Sequence, residues 1–468
     1  MKIKPLQLSV LVLISMLLIT GCVPATTDTP SATEIALTLE ETTPVPAATL
    51  VPESDPRFLI EADTDLQDPI AVLYEAYFTG ETPEFVETGG DLRITRPQDV
   101  FTGRPEIPTT FLPTTEMVAL MDSQEIQDFI DFSISVGGQE VLVEAGALPS
   151  SVVLDDQSGK TIEIAQPVRS VISAYGPATA LVYSVGAEDR LVSASYLGAR
   201  DPMGAEIMEK IDPRFPSILG EQFFTQDDFN LEQAATLDPD LILTSARSAW
   251  LESADQLDIT VFLYDAETTA LLKEAILKTG QLFGPYTGTR AKAWVAYYDE
   301  IVSTVREQVG DIPEEDRVRV LFTGTDPLRV ASGEMYQTEI IEAAGGISVT
   351  TELTGYWNNV NLEQVVVWDP DVVIVPPYGG ASVEAITEST EWQALEAVQA
   401  GRVYRMPKLV VPWDTPAPDS VLGIIWMAQR LYPDRVELRC SEEAEYFYNT
   451  FYNYAITAEE IDSICRFD

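Results

Sequence analysis

Two glutamates stand at the same position of a phrase that the chain contains twice. The phrase is NLEQAATLDPDLILTS at 230–245 and NLEQVVVWDPDVVIVPP at 361–377, with seven of the first fifteen positions identical. In each copy Asn is expected to cap a helix and Gln three residues later to complete a capping box, while Pro ends the helix before a buried strand. Glu232 and Glu363 then lie exposed in the first helical turn, where negative charge is favourable. Helix stability alone would explain them, and so would a partner that needs the same anion twice.

The chain has no histidine, and this excludes several kinds of chemistry. Its 468 residues include 3 Cys, and 28 Lys+Arg stand against 75 Asp+Glu, a formal net charge of −47 at pH 7. Without histidine, Ser-His-Asp and Cys-His catalysis is excluded, and the commonest ligand of zinc, nickel and copper is missing. The acidic balance also argues against nucleic acid, whose phosphates require a basic footprint. We expect neither an enzyme nor a protein-held metal or cofactor.

Aromatic and basic residues follow several of the expected strands, outside the apolar periodicity. Ligands of open α/β sheets bind beyond the carboxyl ends of the strands, so these side chains are candidates for the walls of a cleft. They are Tyr175, Tyr196, Arg200, Arg247 and Trp250 in the first half, and Tyr336, Trp357, Tyr378 and Trp413 in the second, with Asn358 and Asp414 beside them. Aromatic walls suit a bulky chelate, and arginines pair with its carboxylate, hydroxamate or catecholate charge. For each aromatic residue, packing within its own lobe is the alternative.

Strands that alternate with helices position both the glutamates and these loops. Strand-like runs alternate with helical stretches over 168–264, and the alternation restarts at Val318. Between the two sets, apolar residues recur at spacings of three and four, which predicts a long amphipathic helix. The sequence therefore predicts an α/β fold with two Rossmann-like lobes, 167–286 and 316–436, joined by a single backbone helix, 287–312.

The first 22 residues are expected to form an export signal. Lys2 and Lys4 precede an apolar run that ends in LITGC, and this run is too short for a comfortable transmembrane helix. The small residues before Cys22 are similar to a bacterial lipobox, which implies an acylated Cys22 that anchors the chain to the cell membrane, in the periplasm or on the outer face. An ordinary secretory signal is the alternative. Residues 23–57, rich in Thr, Pro and Ala, are expected to form a flexible stalk.

The two remaining cysteines, Cys440 and Cys465, both lie near the C-terminus. In the oxidising compartment that an export signal implies, they are a natural disulfide pair. We expect the bridge to crosslink a helical tail, 437–468, and to have no catalytic role.

Residues 58–150 precede the first lobe and are expected to form a separate unit. The unit ends in DSQEIQDFIDFSISVGGQEVLVEAGALP, which resembles the C-terminal part of molybdate-type extracellular solute-binding proteins. A unit of roughly 90 residues is too short for that complete two-lobed fold. The resemblance therefore implies a truncated, small α/β module, and leaves open whether it binds a ligand.

Residues 167–436 resemble the solute-binding proteins of ABC importers for iron–siderophores, haem and cobalamin. The resemblance is carried by PVRSVISAYGPATALVYSVGAEDRLVSAS, both N-L-E-Q phrases and WDTPAPDSVLGIIWMAQRLYP, in family order with the long helix between them. It implies that Glu232 and Glu363 dock into arginine pockets of a two-fold ABC permease with its cytoplasmic ATPase. It also implies a monomer that captures a small-molecule metal chelate between its lobes.

The resemblance leaves the identity of the ligand open. A ferric siderophore is the expected ligand, because a pre-formed chelate needs no protein nitrogen and the chain has no histidine. Cobalamin, haem held through tyrosine, and molybdate or tungstate are alternatives, and the oxyanions would require Arg and backbone N–H donors. A ligand sensor that does not take part in transport would share the same fold.

Overall fold

The computed structural model of the protein describes residues 57–96, 101, 104–195, 202–220, 229–254 and 259–466. Cys22, the expected stalk, Tyr196 and Arg200 lie outside the described residues. Within these ranges, no helix combines the length and the apolar character needed to cross a membrane.

The described chain begins with a small α/β module. Its elements are β1 (Ile60–Ala62), α1 (Gln67–Tyr77), β2 (Phe85–Val86), β3 (Leu92–Thr95), β4 (Glu116–Ala119), α2 (Gln124–Ile134) and α3 (Val136–Glu144). Strand β1 pairs in parallel with β2 and β3, and β4 pairs antiparallel with β3. The module has its own hydrophobic cluster, in which Phe58, Tyr74 and Phe129 pack together.

A β-hairpin connects the module to the first lobe. The hairpin is formed by β5 (Ser151–Asp155) and β6 (Thr161–Ala165). The first lobe contains β7 (Val171–Ser173), α4 (Gly176–Ser184), β8 (Leu191–Ala194), α5 (Pro202–Ile211), α6 (Phe215–Ile218), α7 (Leu231–Thr236), β9 (Leu241–Ser245), α8 (Leu251–Ala254), β10 (Thr260–Tyr264) and α9 (Thr269–Phe283). The hairpin lies against this lobe, since the backbone N–H of Gln157 donates to the Leu263 carbonyl at 3.0 Å.

A long helix, α10 (Pro285–Val309), leads to the second lobe. This lobe contains β11 (Arg319–Phe322), β12 (Arg329–Val330), α11 (Tyr336–Ala343), β13 (Ile347–Ser348), β14 (Asn358–Asn359), α12 (Leu362–Trp368), β15 (Val372–Val375), α13 (Val383–Thr387), α14 (Glu396–Gln399), β16 (Val403–Arg405) and α15 (Ser420–Leu431). The tail that follows contains α16 (Cys440–Phe451) and α17 (Ala458–Cys465), and a disulfide joins Cys440 to Cys465.

Each lobe contains a four-stranded parallel sheet with the same strand order. The order is β10-β9-β7-β8 in the first lobe and β16-β15-β11-β13 in the second. In both lobes this is the fourth, third, first and second strand along the chain. The strands are short apolar runs because helices cover both faces of the sheet, and all four residues of β15 are buried. This shared order confirms the two-lobed α/β fold predicted from the doubled phrase.

Helix α10 is the rigid connection between the lobes. Its buried face includes Trp294, Tyr298, Ile301 and Val305, and it packs against α9 of the first lobe and against α11 and α15 of the second. Its 25 residues span about 37 Å. The helix begins two residues earlier than expected because Pro285 occupies its first position, where a missing N–H is harmless.

The N-terminal module packs onto this helix and onto the tail. Arg104 Nη2 lies 2.6 Å from Glu443 Oε1, and the other oxygen of this buried carboxylate accepts from the Tyr297 hydroxyl at 2.9 Å. Gln139 Nε2 donates to the Phe283 carbonyl at 3.1 Å. Although the module has its own core, it is joined to the lobes by buried polar contacts.

Candidate functional site

A cavity of about 730 Å³ lies between the two lobes. Its lining comes from loops at the carboxyl ends of strands, where the sequence places ligand-binding residues. Tyr175 follows β7, Arg247 follows β9, Tyr378 follows β15 and Lys408 follows β16. The volume is within the range of about 300–1,000 Å³ that small-molecule sites occupy. We refer to this cavity as the cleft.

On the first-lobe wall, an arginine is held by two partners. Arg247 forms an ion pair with Glu267, which follows β10, and its Nη1 donates to the Tyr356 hydroxyl of the second lobe at 2.6 Å. Partial burial disfavours the guanidinium charge, but the contacts with Glu267 outweigh it and raise the pKa of Arg247. Tyr175 lies beside this pair, and burial raises the pKa of its hydroxyl, so it stays protonated and can donate a hydrogen bond.

On the second-lobe wall, a tyrosine covers a buried carboxylate. Tyr378 donates from its hydroxyl to Asp414 Oδ2 at 2.6 Å, and Asp414 is 0% exposed. Burial raises the pKa of Asp414 to about 6, against the opposing effect of the hydrogen bond from Tyr378. Burial, followed by the Asp414 charge, raises the pKa of Tyr378 as well. The pair therefore presents a neutral phenol to the cleft, with a titratable acid directly behind it.

Three cations line the cleft of a chain in which basic residues are scarce. They are Arg247, Arg329 and Lys408, from a total of 28 Lys and Arg among 468 residues. Arg329 also lies over the ring of Trp357, 5.9 Å from its centroid. The acidic residue among those that line the cleft is Glu267, which forms an ion pair with Arg247. Cations beside aromatic surfaces can bind a bulky ligand that carries negative charge.

The structure brings together five of the nine predicted ligand-binding residues. Those that line the cleft are Tyr175, Arg247, Tyr336, Trp357 and Tyr378. Tyr336 stands at the start of α11, and its hydroxyl shares a 2.7 Å hydrogen bond with Ser420. The side-chain amide of Asn358 donates to the carbonyls of Thr354 and Tyr356, so it shapes the loop rather than the lining.

Two of the predicted tryptophans are placed in the interior of their own lobes. Trp250 stacks on Phe229, with ring centroids 4.2 Å apart, inside a cluster beneath the first sheet. Trp413 is 0% exposed, and its indole N–H donates to the Tyr448 hydroxyl at 3.3 Å. Neither residue lines the cleft. Tyr196 and Arg200, the other two, lie outside the described residues.

Several cleft residues were missed from the sequence. They are Glu267, Arg329, Gln337, Tyr356 and Lys408. The signal that could have found two of them, Arg329 and Lys408, is the scarcity of basic residues, which makes every Arg or Lys in a strand of the second lobe, or in the loop after one, a candidate. Within the described residues no group of three or more His, Cys, Asp or Glu is arranged to hold a metal ion.

A second cavity, of about 560 Å³, lies away from the cleft. It is formed where the N-terminal module meets the β5–β6 hairpin and the junction of α9 with α10, and Val143, Leu148 and Leu154 contribute apolar walls. Lys292 is the charged residue of its lining. The cavity is remote from the carboxyl ends of both sheets, so it has no part in the site described above.

The two glutamates of the doubled phrase occupy matching, exposed positions. Asn230 Oδ1 accepts from the Gln233 N–H at 3.1 Å, and Asn361 Oδ1 accepts from the Gln364 N–H at 2.8 Å. Glu232 and Glu363 each lie two residues after the capping asparagine, and both are exposed. In the described residues the reciprocal bond from the glutamine side chain is absent, so each cap is one half of the expected capping box.

The aspartates of the phrase also have matching roles. Asp238 and Asp369, which end the two helices, adopt the left-handed conformation with φ of 47° and 45°. Asp240 Oδ2 accepts from the Arg169 N–H at 2.6 Å, and Asp371 Oδ2 accepts from the Arg319 N–H at 2.8 Å. Each D-P-D thus ties its helix to the first strand of the same lobe, and the exposed glutamates take no part in these contacts.

Two similar α/β lobes on one rigid helix, with a ligand-sized cleft between them, define a two-lobed solute-binding protein. The sequence profile of the periplasmic binding protein family matches residues 171–409, more than half of the chain. The chain therefore belongs to the periplasmic binding protein family. Proteins of this family work outside the cytoplasm and deliver ligands to the permease of an ABC importer.

Relatives and solved structures agree with this assignment. The molybdate-binding protein MolA of Haemophilus influenzae is 28% identical over 148 residues, 31% of this chain and 42% of MolA, so the match spans less than half of that relative. A vitamin B12-binding protein of Photorhabdus laumondii is 25% identical over 238 residues, 49% of this chain and 78% of the relative. A periplasmic solute-binding protein from Veillonella parvula has the same fold, with a TM-score of 0.59 and 23% identity over 67% of this chain and 96% of that one. Molybdate-bound MolA has a TM-score of 0.58 with 19% identity, over 65% of this chain and 99% of MolA.

Proposed function

We propose that this protein captures a ferric siderophore in the cleft and delivers it to an ABC permease, to which it docks through Glu232 and Glu363. The observation that carries the proposal is the combination of aromatic and cationic side chains in the cleft. In this proposal the protein is a monomer, an acylated Cys22 holds it at the membrane, and residues 23–57 form the tether. The role is one of binding and delivery, without catalysis.

The lining of the cleft favours an anionic chelate. Arg247, Arg329 and Lys408 provide positive charge from both lobes, while Tyr175, Trp357 and Tyr378 provide aromatic surface. A ferric catecholate or carboxylate complex combines flat aromatic or bulky groups with net negative charge, and therefore pairs with both features. The metal is already fully ligated in such a complex, which suits a chain without histidine.

Other ligands of the family remain alternatives, each with its own support. Cobalamin is supported by the similarity to the vitamin B12-binding protein of Photorhabdus laumondii. Molybdate or tungstate is supported by the similarity to MolA and by the three cations. Haem is supported by two tyrosines that line the cleft, Tyr175 and Tyr378. A sensor that binds its ligand without transport differs from our proposal only in the role of the two glutamates.

The docking role is supported by exposure and symmetry. Glu232 and Glu363 are both exposed at the same position of equivalent helices, one per lobe. A permease dimer with two-fold symmetry would meet the same anion under each lobe, and ion pairs of this kind set orientation and association rate. Val366 and Val367, on the same helix as Glu363, are 41% and 76% exposed. Apolar surface next to the acid is typical of a contact surface.

Tryptophan fluorescence tests the ligand, because one tryptophan of the described residues lines the cleft. We expect the protein without its lipid to respond saturably to ferric siderophores, and to respond less to cobalamin, haem or molybdate. Trp357→Phe should remove most of the response, because Trp357 lines the cleft, whereas Trp250→Phe should retain it, because Trp250 stacks on Phe229 in the lobe interior. A saturable response to cobalamin, haem or molybdate alone would replace the ferric siderophore as ligand.

A further inference from the structure

Behind the second-lobe wall of the cleft, a buried carboxyl group has one oxygen without a hydrogen-bond partner among the described residues. Asp414 is 0% exposed, and its Oδ2 accepts from Tyr378 at 2.6 Å. Its Oδ1 has no hydrogen-bond partner among the described residues. A buried ionised carboxylate is normally bonded at both oxygens. The environment of Asp414 therefore suits a carboxyl group that is protonated in one of its functional states.

The neighbouring glutamine strengthens this conclusion. Gln337 lines the cleft, and its Nε2 donates to the backbone carbonyl of Asp414 at 3.0 Å. A carbonyl oxygen only accepts, so this contact fixes which end of the amide faces Asp414. The remaining atom, Oε1, is buried and also has no partner in the described part of the chain. Two buried acceptor atoms without hydrogen-bond partners thus lie on this residue pair.

We propose that Asp414 takes up a proton when the cleft binds an anionic ligand, and that Tyr378 couples the two events. This inference rests on the proposed function, because it concerns ligand binding in the same cleft. Asp414 is a positioning residue here, since it acts on the ligand through the Tyr378 hydroxyl and through its own charge.

The coupling follows from the direction of one hydrogen bond. While Asp414 is ionised, the Tyr378 proton points to Oδ2, and the phenol offers only lone pairs to the cleft. When Asp414 is protonated, the carboxyl can donate to the phenol oxygen, and the Tyr378 proton can turn to an anionic group of the ligand. The same proton cancels a negative charge behind the wall. The exchange takes up at most one proton from solvent for each ligand, and no other bond changes.

The proton exchange involves Asp414 and Tyr378, and the other charged and titratable groups near them take no part in it. Tyr378 is the titratable group in contact with the carboxylate, from the loop after β15. The same cavity also receives Tyr336 from α11, Arg329 from β12 and Lys408 from the loop after β16. Burial raises the pKa of Asp414 to about 6, with no charge–charge contribution from these cations. A bound anion would raise this pKa further, because negative charge nearby favours the protonated form.

The sign of the effect on affinity follows by linkage. A ligand that raises the pKa of Asp414 binds more tightly at low pH, and its affinity falls as pH rises from about 6 through the pKa of the complex. Binding of a neutral ligand should change little over the same range. The affinity for an anion at pH 6 is expected to exceed that at pH 8 by about fivefold for a rise of about one pKa unit, because about half of the Asp414 carboxyl is already protonated at pH 6 in the free protein.

The test compares an anionic and a neutral chelate by titration calorimetry from pH 6 to pH 8. Ferric enterobactin serves as the anionic probe and ferrichrome as the neutral one, and two buffers with different ionisation enthalpies count the protons. In the wild type we expect uptake of about half a proton near pH 6.5 and an about fivefold loss of ferric enterobactin affinity by pH 8, for a pKa that rises by about one unit on binding. In Asp414→Asn, affinity should be independent of pH and no proton should be taken up.

A second buried acid provides the matched control. Asp419 is also 0% exposed and accepts from Tyr448 and Tyr452, but neither of these tyrosines lines the cleft, whereas Tyr378 does. Asp419→Asn should therefore keep the wild-type pH profile, and Tyr378→Phe should bind weakly at every pH. If Asp414→Asn kept the wild-type pH profile and proton count, the coupling would be wrong while the proposed ligand class stood. If neither chelate bound the wild type at any pH, both the proposed function and this inference would be overturned.

Discussion

The guanidinium of Arg247 and the hydroxyl of Tyr356 form a 2.6 Å hydrogen bond that connects the first lobe to the second. Arg247 also pairs with Glu267 of its own lobe, and its guanidinium carbon lies 5.3 Å from the centroid of the Tyr356 ring. Glu267 thus holds the arginine at the edge of the cleft. Tyr356 is 55% exposed, so an incoming anion can replace it as the hydrogen-bond partner of Arg247.

Removing the charge of Arg247 should weaken ligand binding. Arg247→Met is expected to lower the affinity for an anionic chelate by about 10- to 100-fold, the effect of losing one charge-assisted hydrogen bond. Titration calorimetry at neutral pH measures this change. Arg306→Met removes an equal charge from an exposed position of α10, far from the cleft lining, and should leave the affinity unchanged. Equal losses in both variants would mean that overall charge, and not the Arg247 contact, governs binding.

Reversing the charges of the two docking glutamates should separate binding from delivery. In cells that express the permease, Glu232→Arg combined with Glu363→Arg should abolish uptake, because each arginine would face the basic pocket expected on the permease. The dissociation constant of the ligand should stay within about twofold of wild type, since neither residue lines the cleft. Glu307→Arg, an exposed reversal on α10, is the control and should leave uptake intact. Normal uptake in the double variant would reject the docking role.

The lobes could be predicted from the sequence because their signals are local and repeated. The strands are apolar runs, and the phrase from Asn230 and its copy from Asn361 place a capped helix before the third strand of each four-stranded sheet. Asp-Pro-Asp ends both helices for the same stereochemical reason. Neighbouring residues carry this information, so the capped helices and the strands can be predicted without knowledge of the tertiary fold.

The composition of the cleft could be predicted only in part, because it depends on where each loop points. Trp357 and Trp413 both follow expected strands, yet one lines the cleft and the other is fully buried. Trp413 lies so close to α15 that a Cβ at Gly423 would be 2.6 Å from its carbonyl oxygen. An aromatic residue in a loop fits either environment, and the choice is made by packing partners that are distant in sequence.

The disulfide of the tail should affect stability without affecting the site. Cys440 and Cys465 enclose a loop with a sequence separation of 25, and replacing both with serine should lower the free energy of unfolding by about 2–4 kcal/mol. Denaturant unfolding measures the change. Ligand affinity should remain at the wild-type value, since neither cysteine lines the cleft. A large loss of affinity in a variant that remains folded would show that the tail contributes to the shape of the cleft.

The buried acids predict an unusual dependence of stability on pH. Burial raises the pKa of both Asp414 and Asp419 to about 6, whereas an unfolded aspartate titrates near 3.9. Because the folded state binds these protons more tightly, each acid destabilises the fold as pH rises from about 4 to about 6, and the cost stays constant above that window. The full cost is of the order of 3 kcal/mol per acid for a shift of about two pKa units.

Asp414→Asn should therefore raise the free energy of unfolding at pH 8 by about 1–3 kcal/mol, a range that allows for the altered hydrogen bond to Tyr378. The gain should shrink as pH falls from 6 and disappear near pH 4, where the wild-type carboxyl is protonated in both states. Chemical unfolding across this range measures it. Asp419→Asn should show the same pH window, whereas Glu307→Gln, at an exposed position, should show none. A stability difference for Asp414→Asn that did not vary between pH 4 and pH 8 would show that this carboxyl does not titrate there, and would remove the proton on which the coupling to Tyr378 depends.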